Sequence, residues 1–411
     1  MSVDLCRSLR ILYLHPSGTF GGASKSLIEL FGRLRLVGVE GVILTPQGSA
    51  CAAFAAAGLE VKEVKGLTQF DNTRFGHYRG LRWIILLREI FFLPFSLLGL
   101  WRIRKEEFDL IHVNEITLLP LGLVAKRFLG IPLVLHVRSL QRKPGNGCRT
   151  RLVNFCLRKY ADVVVAIDHT VADSLEGGMA LQVVHNGIKI ESDIFSPVNS
   201  QEKSKAESVV RVGFLGVLIP LKGIYEMVEA IKILKDRGVK VECLVAGENA
   251  RDISGLKAWA LQKLRFAKNV RADLESFINN NDLHDQIKLL GFVGDVRTLY
   301  PKLDILCFPS YLDAAGRPVF EAAFYGVPSV VAINNPMPDA LIHGVTGLAI
   351  SHPTPDLIAD AIQRLVQDVE YRQLLGRRAR EWAIENFSIE NSAATMHDIY
   401  RKLASSATAL V

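Results

Sequence analysis

The chain has 411 residues, 49% of them hydrophobic and 22% charged, enough for two or three domain cores and too apolar for a disordered protein or a coiled coil. Six cysteines are scattered without a C-x-x-C pair, which excludes a disulfide framework or a cysteine-rich zinc site and fits a reducing compartment. The net charge of +7 lies entirely in the first half: residues 1–200 hold 24 Lys and Arg against 17 Asp and Glu, and residues 201–411 hold 25 of each.

Within 74–159 the imbalance is 16 basic to 5 acidic residues, a surface that seeks anions. The first apolar run, residues 11–14, is too short for a cleavable signal peptide. A strand over 10–15 opens the chain, followed by a glycine turn (Gly18, Gly21, Gly22) and a helix over 24–36. Strands at 42–44, near 61, and at 110–113, 133–137 and 163–166 then alternate with helices at 52–57, 117–129, about 149–160 and 169–176. Short apolar strands alternating with helices predict a parallel sheet covered on both faces. The polar stretch 196–208 (SPVNSQEKSKAES) breaks the rhythm and reads as a linker.

The pattern restarts with strand 210–215, turn 216–223, helix 224–237 and strand 239–245. A Lys- and Arg-rich stretch, 249–268, reads as an insertion. Strand 287–290, helix 295–302, strand 305–308, loop 309–317, helix 319–325 and strand 328–332 follow, and the last 55 residues are mainly helical. The chain therefore reads as two doubly wound halves. Ligands of such sheets bind beyond the carboxyl ends of the strands, here expected in a cleft between the halves.

The turn Gly18-Thr-Phe-Gly-Gly-Ala-Ser-Lys-Ser26 is not a P-loop, because Ser24 stands where the glycine before the lysine should be. What remains is a glycine pair at a helix start, either a plain tight turn or a place where an anion meets bare N–H groups. In the second half, Lys222 lies just ahead of a helix start, where a cation can neutralise a phosphate; the plainer alternative is a solvated lysine. Asp313 and Glu321 stand eight residues apart, on a loop and one turn into the next helix. Gly316 permits close backbone approach and Pro318 suits a helix start. Glu321 sits among Val319, Phe320, Ala322 and Ala323, so its acid needs a partner: ligand hydroxyls or a buried cation.

Taken together these segments resemble the family-4 glycosyltransferases of the GT-B fold. The resemblance is carried by Gly21-Gly22-Ala23, Phe108-Asp-Leu-Ile-His112-Val113, Asn186-Gly187, the Gly216–Gly223 segment with Lys222, and the spaced acids Asp313 and Glu321. Ala323–Pro328, His343–Leu348 and Asn386-Phe387-Ser388 add to it. It is strong across 210–390 and looser across 1–190. The resemblance implies two Rossmann-like domains facing each other. An acceptor-side domain over 1–195 would be completed by a C-terminal helix about 388–411, and a donor domain would span 209–387.

It implies retaining transfer of a sugar from a nucleotide-diphosphate sugar, with no cofactor and no metal required. In the family's pattern Lys222 neutralises the diphosphate, Glu321 binds the ribose, and Asp313 with the backbone at Gly316 faces sugar and phosphates. Backbone at Gly291, Phe292 and Val293 holds the base, Gly21 and Gly22 meet the phosphates, and His136, ending a strand, contacts the sugar. Gly216 belongs to the same donor loop. The chain departs from the pattern at Val217, where the family has Arg, and at Asp313, where it has Glu. Arg317 is the residue placed to supply the missing charge.

The segment 79–105 bears on the acceptor. Its uncharged run of 12 residues, 90–101, is too short to span a bilayer, and Pro94 interrupts it. A buried helix is the plain alternative. The run is apolar all round, with Trp83 and Trp101 near its ends and Arg79, Arg82, Arg102, Arg104 and Lys105 at its flanks. The expectation is a monotopic contact through Trp83, Phe91, Phe92, Phe95 and Trp101 with an anionic membrane surface. That reading places the protein on the cytoplasmic face of the plasma membrane, with a glycan or lipid-linked acceptor from cell-surface polysaccharide or glycolipid synthesis. A non-catalytic sugar-nucleotide-binding scaffold of the same fold is the competing reading, motivated by Val217 and Asp313. A nucleic-acid binder ranks last, for want of interleaved aromatics, RNP motifs or zinc spacing.

Overall fold

A computed structural model describes residues 8–74, 76, 78, 83–142, 147–189, 209–249 and 269–408. The linker at 196–208, the insertion beyond Asn249 (to residue 268), Arg79 and Arg82 lie outside the described residues. The chain divides into two compact units, Met1–Lys189 with Phe387–Val411, and Ile190–Asn386.

In the first unit seven strands, β1 (Leu9–Leu14), β2 (Val39–Pro46), β3 (Glu60–Val64), β4 (Leu110–Val113), β5 (Leu133–Val137), β6 (Val163–Ala166) and β7 (Leu181–Val183), form one parallel sheet in the order β3-β2-β1-β4-β5-β6-β7. Along β1 the side chains alternate between two cores. Leu9, Ile11 and Tyr13 enter one, Leu12 and Leu14 the other, which is why a strand covered on both faces reads as a continuous apolar run. The helices Gly22–Leu34 and Ser49–Ala56 lie over the first core. The helices Ile85–Arg102, Leu119–Leu129 and Cys148–Tyr160 lie over the second. The C-terminal helix Ile389–Thr408 belongs to this unit: Ile389, Ala393, Met396, Ile399 and Tyr400, one helical stripe, enter the first core beside Leu27 and Phe31.

The second unit repeats the plan with β8 (Val210–Leu215), β9 (Val241–Ala246), β10 (Ile287–Gly291), β11 (Ile305–Phe308), β12 (Ser329–Ala332) and β13 (Gly347–Ile350), in the order β10-β9-β8-β11-β12-β13. Chain order reverses between β1 and β4 in one sheet and between β8 and β11 in the other, the switch points at which such sheets bind ligands. The helix expected over 295–302 is two 3₁₀ turns, Val296–Thr298 and Tyr300–Lys302. Pro301 lacks the N–H that an α-helix interior requires, and Asp295 Oδ1 draws off the Arg297 N–H at 3.1 Å.

Candidate active site

In the second unit Gly216, Lys222, Asp313, Gly316, Arg317 and Glu321 lie on the segments that follow β8 and β11, on either side of the switch point, while Gly291, Phe292 and Val293 lie at the end of β10. After β8 the chain makes a 3₁₀ turn, Pro220–Lys222, and enters the helix Ile224–Asp236 through Gly223. Gly223 has φ +73°, and a Cβ there would lie 1.8 Å from the Pro309 carbonyl oxygen, so only glycine lets the loops after β8 and β11 touch. Tyr311 N–H donates to the Leu221 carbonyl at 3.0 Å across the same seam. The Lys222 ammonium rests 4.9 Å from the centroid of the Phe308 ring. Burial lowers its pKa, and among the described residues no carboxylate pairs with it. A partly desolvated cation without a counter-ion is a stored attraction for an anion.

The same ring seats the start of the next helix. A Cβ on Gly316 would lie 2.4 Å from the tip of Phe308, so the N-terminus of helix Arg317–Phe324, capped at Gly316 and carrying Pro318 in its first turn, is drawn down onto the end of β11. Glu321 is buried in that helix. Its Oε1 accepts from Arg317 Nε at 2.7 Å and its Oε2 from the Tyr300 hydroxyl at 2.7 Å. Burial first, and the Glu321 charge second, hold the Tyr300 hydroxyl well above its ordinary pKa, as a donor. The partner that Glu321 needs is thus present within the chain. Arg317, the residue expected to supply charge to the diphosphate, donates to Glu321, with 15% of its side chain exposed. Tyr300 is the residue that sequence reasoning missed.

Asp313 is half-buried with φ +54°, the left-handed region that Asp enters more readily than most residues. Its Oδ1 accepts the Asn334 N–H at 2.9 Å and so ties the loop after β11 to the end of β12. Gly216, at φ +152°, follows β8 with open space where a Cβ would be, and Val217 beside it is 48% exposed. Gly291 closes β10; Phe292 N–H donates to Glu248 Oε1 at 3.2 Å while its ring is 79% exposed, and Val293 is half-buried.

The first unit has its own constellation, centred on Arg138. The expectation that His136 ends its strand is corrected: Val137 ends β5, His136 lies inside it at 2% exposure, and Arg138 emerges at the carboxyl end. Arg138 Nε and Nη2 donate to Asn114 Oδ1 at 3.0 and 2.8 Å, Nη1 donates to Asn186 Oδ1, and Nη2 lies 3.3 Å from His136 Nδ1. Because a guanidinium only donates, His136 Nδ1 accepts. The His112 Nε2 facing it at 3.3 Å must then carry a proton, and the Tyr400 hydroxyl donates to His112 Nδ1. Asn114 Nδ2 likewise donates to His15 Nδ1 at 2.8 Å, leaving His15 Nε2 to donate to Ser24 Oγ at 3.1 Å. Burial, aided by the Arg138 charge, lowers His15 and His112 to about 3 and His136 well below its ordinary value. All three are neutral wedges behind one fixed cation.

Gly21 and Gly22 open the helix Gly22–Leu34 one turn before Lys25. Gly21 is extended, and at neither position would a Cβ meet anything within 4 Å. Packing and dihedral angles give no reason for glycine there, and the bare backbone is open to approach from outside.

Residues 20–192 match the family described as Glycosyltransferase Family 4, and residues 196–382 the family described as Glycosyl transferases group 1. The D-inositol 3-phosphate glycosyltransferase of Corynebacterium jeikeium is 26% identical over 371 residues, 84% of each chain. The uncharacterized glycosyltransferase YqgM of Bacillus subtilis is 24% identical over 289 residues, 67% of this chain and 73% of that one. Among solved structures, Anabaena HepE in complex with UDP and glucose covers 96% of this chain and 100% of its own with a TM-score of 0.71 at 20% identity, a likeness of fold.

Proposed function

We propose, from the premise that this chain belongs to the group 1 and family 4 glycosyltransferases of the GT-B fold, that it moves a sugar with retention from a nucleotide-diphosphate sugar to a lipid-linked acceptor at the cytoplasmic face of a membrane. The observation that carries the donor half is Lys222: a cation without a carboxylate among the described residues, kept partly dry over Phe308 beside the start of the helix Arg317–Phe324. A departing nucleoside diphosphate gains charge as the glycosidic bond breaks. An ammonium and oriented N–H groups already in place stabilise that charge more in the transition state than in the ground state. Lys222 supplies this cation from the chain itself, so the reading calls for no metal, and chelation by EDTA leaves transfer unchanged.

Glu321 is a buried carboxylate oriented by Arg317 and Tyr300, an acceptor that suits a ribose hydroxyl pair. Asp313 and Gly316 line the sugar and phosphate end, and the backbone at Gly291, Phe292 and Val293 takes the base. Arg317 contributes through Glu321. His136 enters the reading through Arg138, which it orients, and Gly21 and Gly22 offer a second set of N–H groups to an anion. The acceptor half rests on the basic excess of residues 74–159 and the apolar helix within it, and fits polysaccharide or glycolipid assembly.

HepE is solved with UDP and with UDP-glucose, so uridine donors are the first to test. The experiment is a thermal-shift screen of nucleotide sugars, followed by transfer of labelled sugar to a lipid extract and NMR of the product anomer. Stabilisation by no sugar nucleotide would overturn the reading, and an inverted anomer would remove retention. Binding without transfer or hydrolysis would favour the second reading, a sugar-nucleotide-binding scaffold, to which Val217 and Asp313 point.

A further inference from the structure

We propose that the helix Ile85–Arg102 docks the first unit flat onto an anionic lipid bilayer, through a face on which the usual distribution of side chains is inverted. A helix on a protein surface turns apolar residues inward and charges outward. Here the inward stripe carries Glu89, Ser96 and Gly99 together with Leu100, all buried. The outward stripe carries Ile84 (69% exposed), Leu87 (65%), Ile90 (64%), Phe91 (54%), Leu97 (43%) and Trp101 (52%). The positions 84, 87, 90, 91, 97 and 101 fall on one side of an α-helix.

The inward groups fix this orientation. Glu89 Oε2 accepts the Gln69 N–H at 2.8 Å, Ser96 Oγ accepts the Thr68 N–H at 2.8 Å, and Thr68 Oγ1 donates to the Glu89 carbonyl at 2.9 Å. A Cβ on Gly99 would come within 2.8 Å of Val64 and 3.1 Å of Leu44, so the helix is drawn close to the sheet on that side and cannot roll its apolar stripe inward. Phe92 corrects the sequence expectation, because it packs over Gly66 rather than facing out, and Phe95 is half-buried. Trp83, Phe91 and Trp101 remain outward.

The charges at this face are cations. Glu89, the helix's one acid, is buried and paired with Arg88. Lys65 Nζ lies 5.3 and 5.2 Å from the ring centroids of Phe91 and Phe95, and the Arg104 guanidinium lies 3.8 Å from that of Trp101. The pairing recurs on the helix Cys148–Tyr160, which covers the same face of the sheet: Phe155 is 47% exposed, with Lys159 Nζ 5.5 Å from its centroid. No helix of the described residues is long and apolar enough to cross a membrane. Apolar side chains at interfacial depth, a rim of cations and aromatic ends are what an anionic bilayer surface binds. A second copy of the chain is the poorer occupant, because a two-fold contact would set this cationic rim against itself.

The surface rests on the membrane half of the proposed function and not on its donor half. The test is flotation of the full chain with vesicles of phosphatidylcholine alone or with phosphatidylglycerol added. The protein floats with the anionic vesicles, little with the neutral ones, and less as salt rises. Ile90→Ser/Phe91→Ser/Leu97→Ser lowers recovery in the floated fraction by tenfold or more. Removing the Arg104 charge lowers partitioning about fivefold. Leu36→Ser, which changes a residue 74% exposed elsewhere in the unit, has no effect. Thermal melts and sugar-nucleotide binding without vesicles, measured on the same proteins, report folding and the donor reading separately. A wild-type chain that stays in the soluble fraction with anionic vesicles, or a triple variant that floats like the wild type, overturns the proposal. A dimer that dissociates in the triple variant, seen by sedimentation, overturns it in favour of a second copy.

Discussion

The ammonium of Lys222 and the ring of Phe308 are 4.9 Å apart; Lys222 stands in the turn after β8, and Phe308 is the last residue of the neighbouring parallel strand β11. The ring shields one side of the cation from water and supplies no opposite charge. Lys222→Ala should therefore lower kcat by about 10²-fold or more. It should leave the melting temperature unchanged or raised, since a partly desolvated, uncompensated charge is removed. Turnover and a melt on the same protein check this; unchanged turnover would take Lys222 out of the chemistry.

Arg317 and Glu321 should couple. Arg317→Ala takes the guanidinium away from a buried carboxylate, at a cost of roughly 2–4 kcal/mol. Glu321→Gln keeps an acceptor for Tyr300 but loses the charge, and donor affinity should fall about tenfold. In the double variant most of the stability returns while donor affinity stays low. Denaturant unfolding and calorimetric titration of the four proteins form the cycle. Additive stabilities would mean that the pair is not coupled.

Acid should destabilise the first unit from an unusually high pH. His15 and His112 titrate at about 3 in the folded chain and near 6.5 when unfolded. Between those values the unfolded state binds more protons, so stability is full above about pH 6.5 and falls as pH drops toward 3. Each histidine removes up to ~1.4 kcal/mol per pH unit in that window. His112→Asn should flatten the slope by about one proton in a series of urea melts; an unaltered slope would show that His112 is not buried neutral.

Arg138→Lys should fold and lose turnover, because a single ammonium cannot reach Asn114, Asn186 and His136 together as the planar fork does. Tyr400→Phe should cost about 1–2 kcal/mol by leaving His112 Nδ1 buried without its donor. Kinetics of the first and unfolding of both are the measurements, and a fully active Arg138→Lys would reduce this network to a structural one.

The central strands were legible because they are largely buried on both faces: 163–166 and 305–308 are unbroken apolar runs, 110–113, 133–137 and 210–215 are apolar but for His112, His136 and Arg211, and all five stand in the structure at those bounds. Lys222, Asp313 and Gly316 stood out as charge and glycine in short loops between such runs, and Glu321 as an acid among the apolar residues of a helix. Tyr300 was not, since it reaches Glu321 from 21 residues away on a turn with no periodicity. Nor was Tyr400, 288 residues from His112. The shift from His136 to Arg138 is one of strand register: both side chains lie on one face of β5, and only the strand's last residue decides which leaves the sheet. The inward stripe of the helix Ile85–Arg102 was masked by its small size, three residues set among large apolar ones.

The return of the helix Ile389–Thr408 to the first unit sets an order on synthesis. Leu27, Phe31, Ile11 and Tyr13 share their core with Ile389, Met396 and Tyr400, which leave the ribosome about 200 residues after β7. At ~5–20 residues per second this is a delay of roughly 10–40 s, during which one flank of the nascent N-terminal sheet lacks part of its cover while the whole second unit is made. The half of the molecule translated first is completed last, and in that interval it depends on chaperones or on the second unit folding without interference. A circular permutant that begins at Ile389 and joins its helix to residue 8 removes the wait, and should give a higher soluble yield in cells than the natural order.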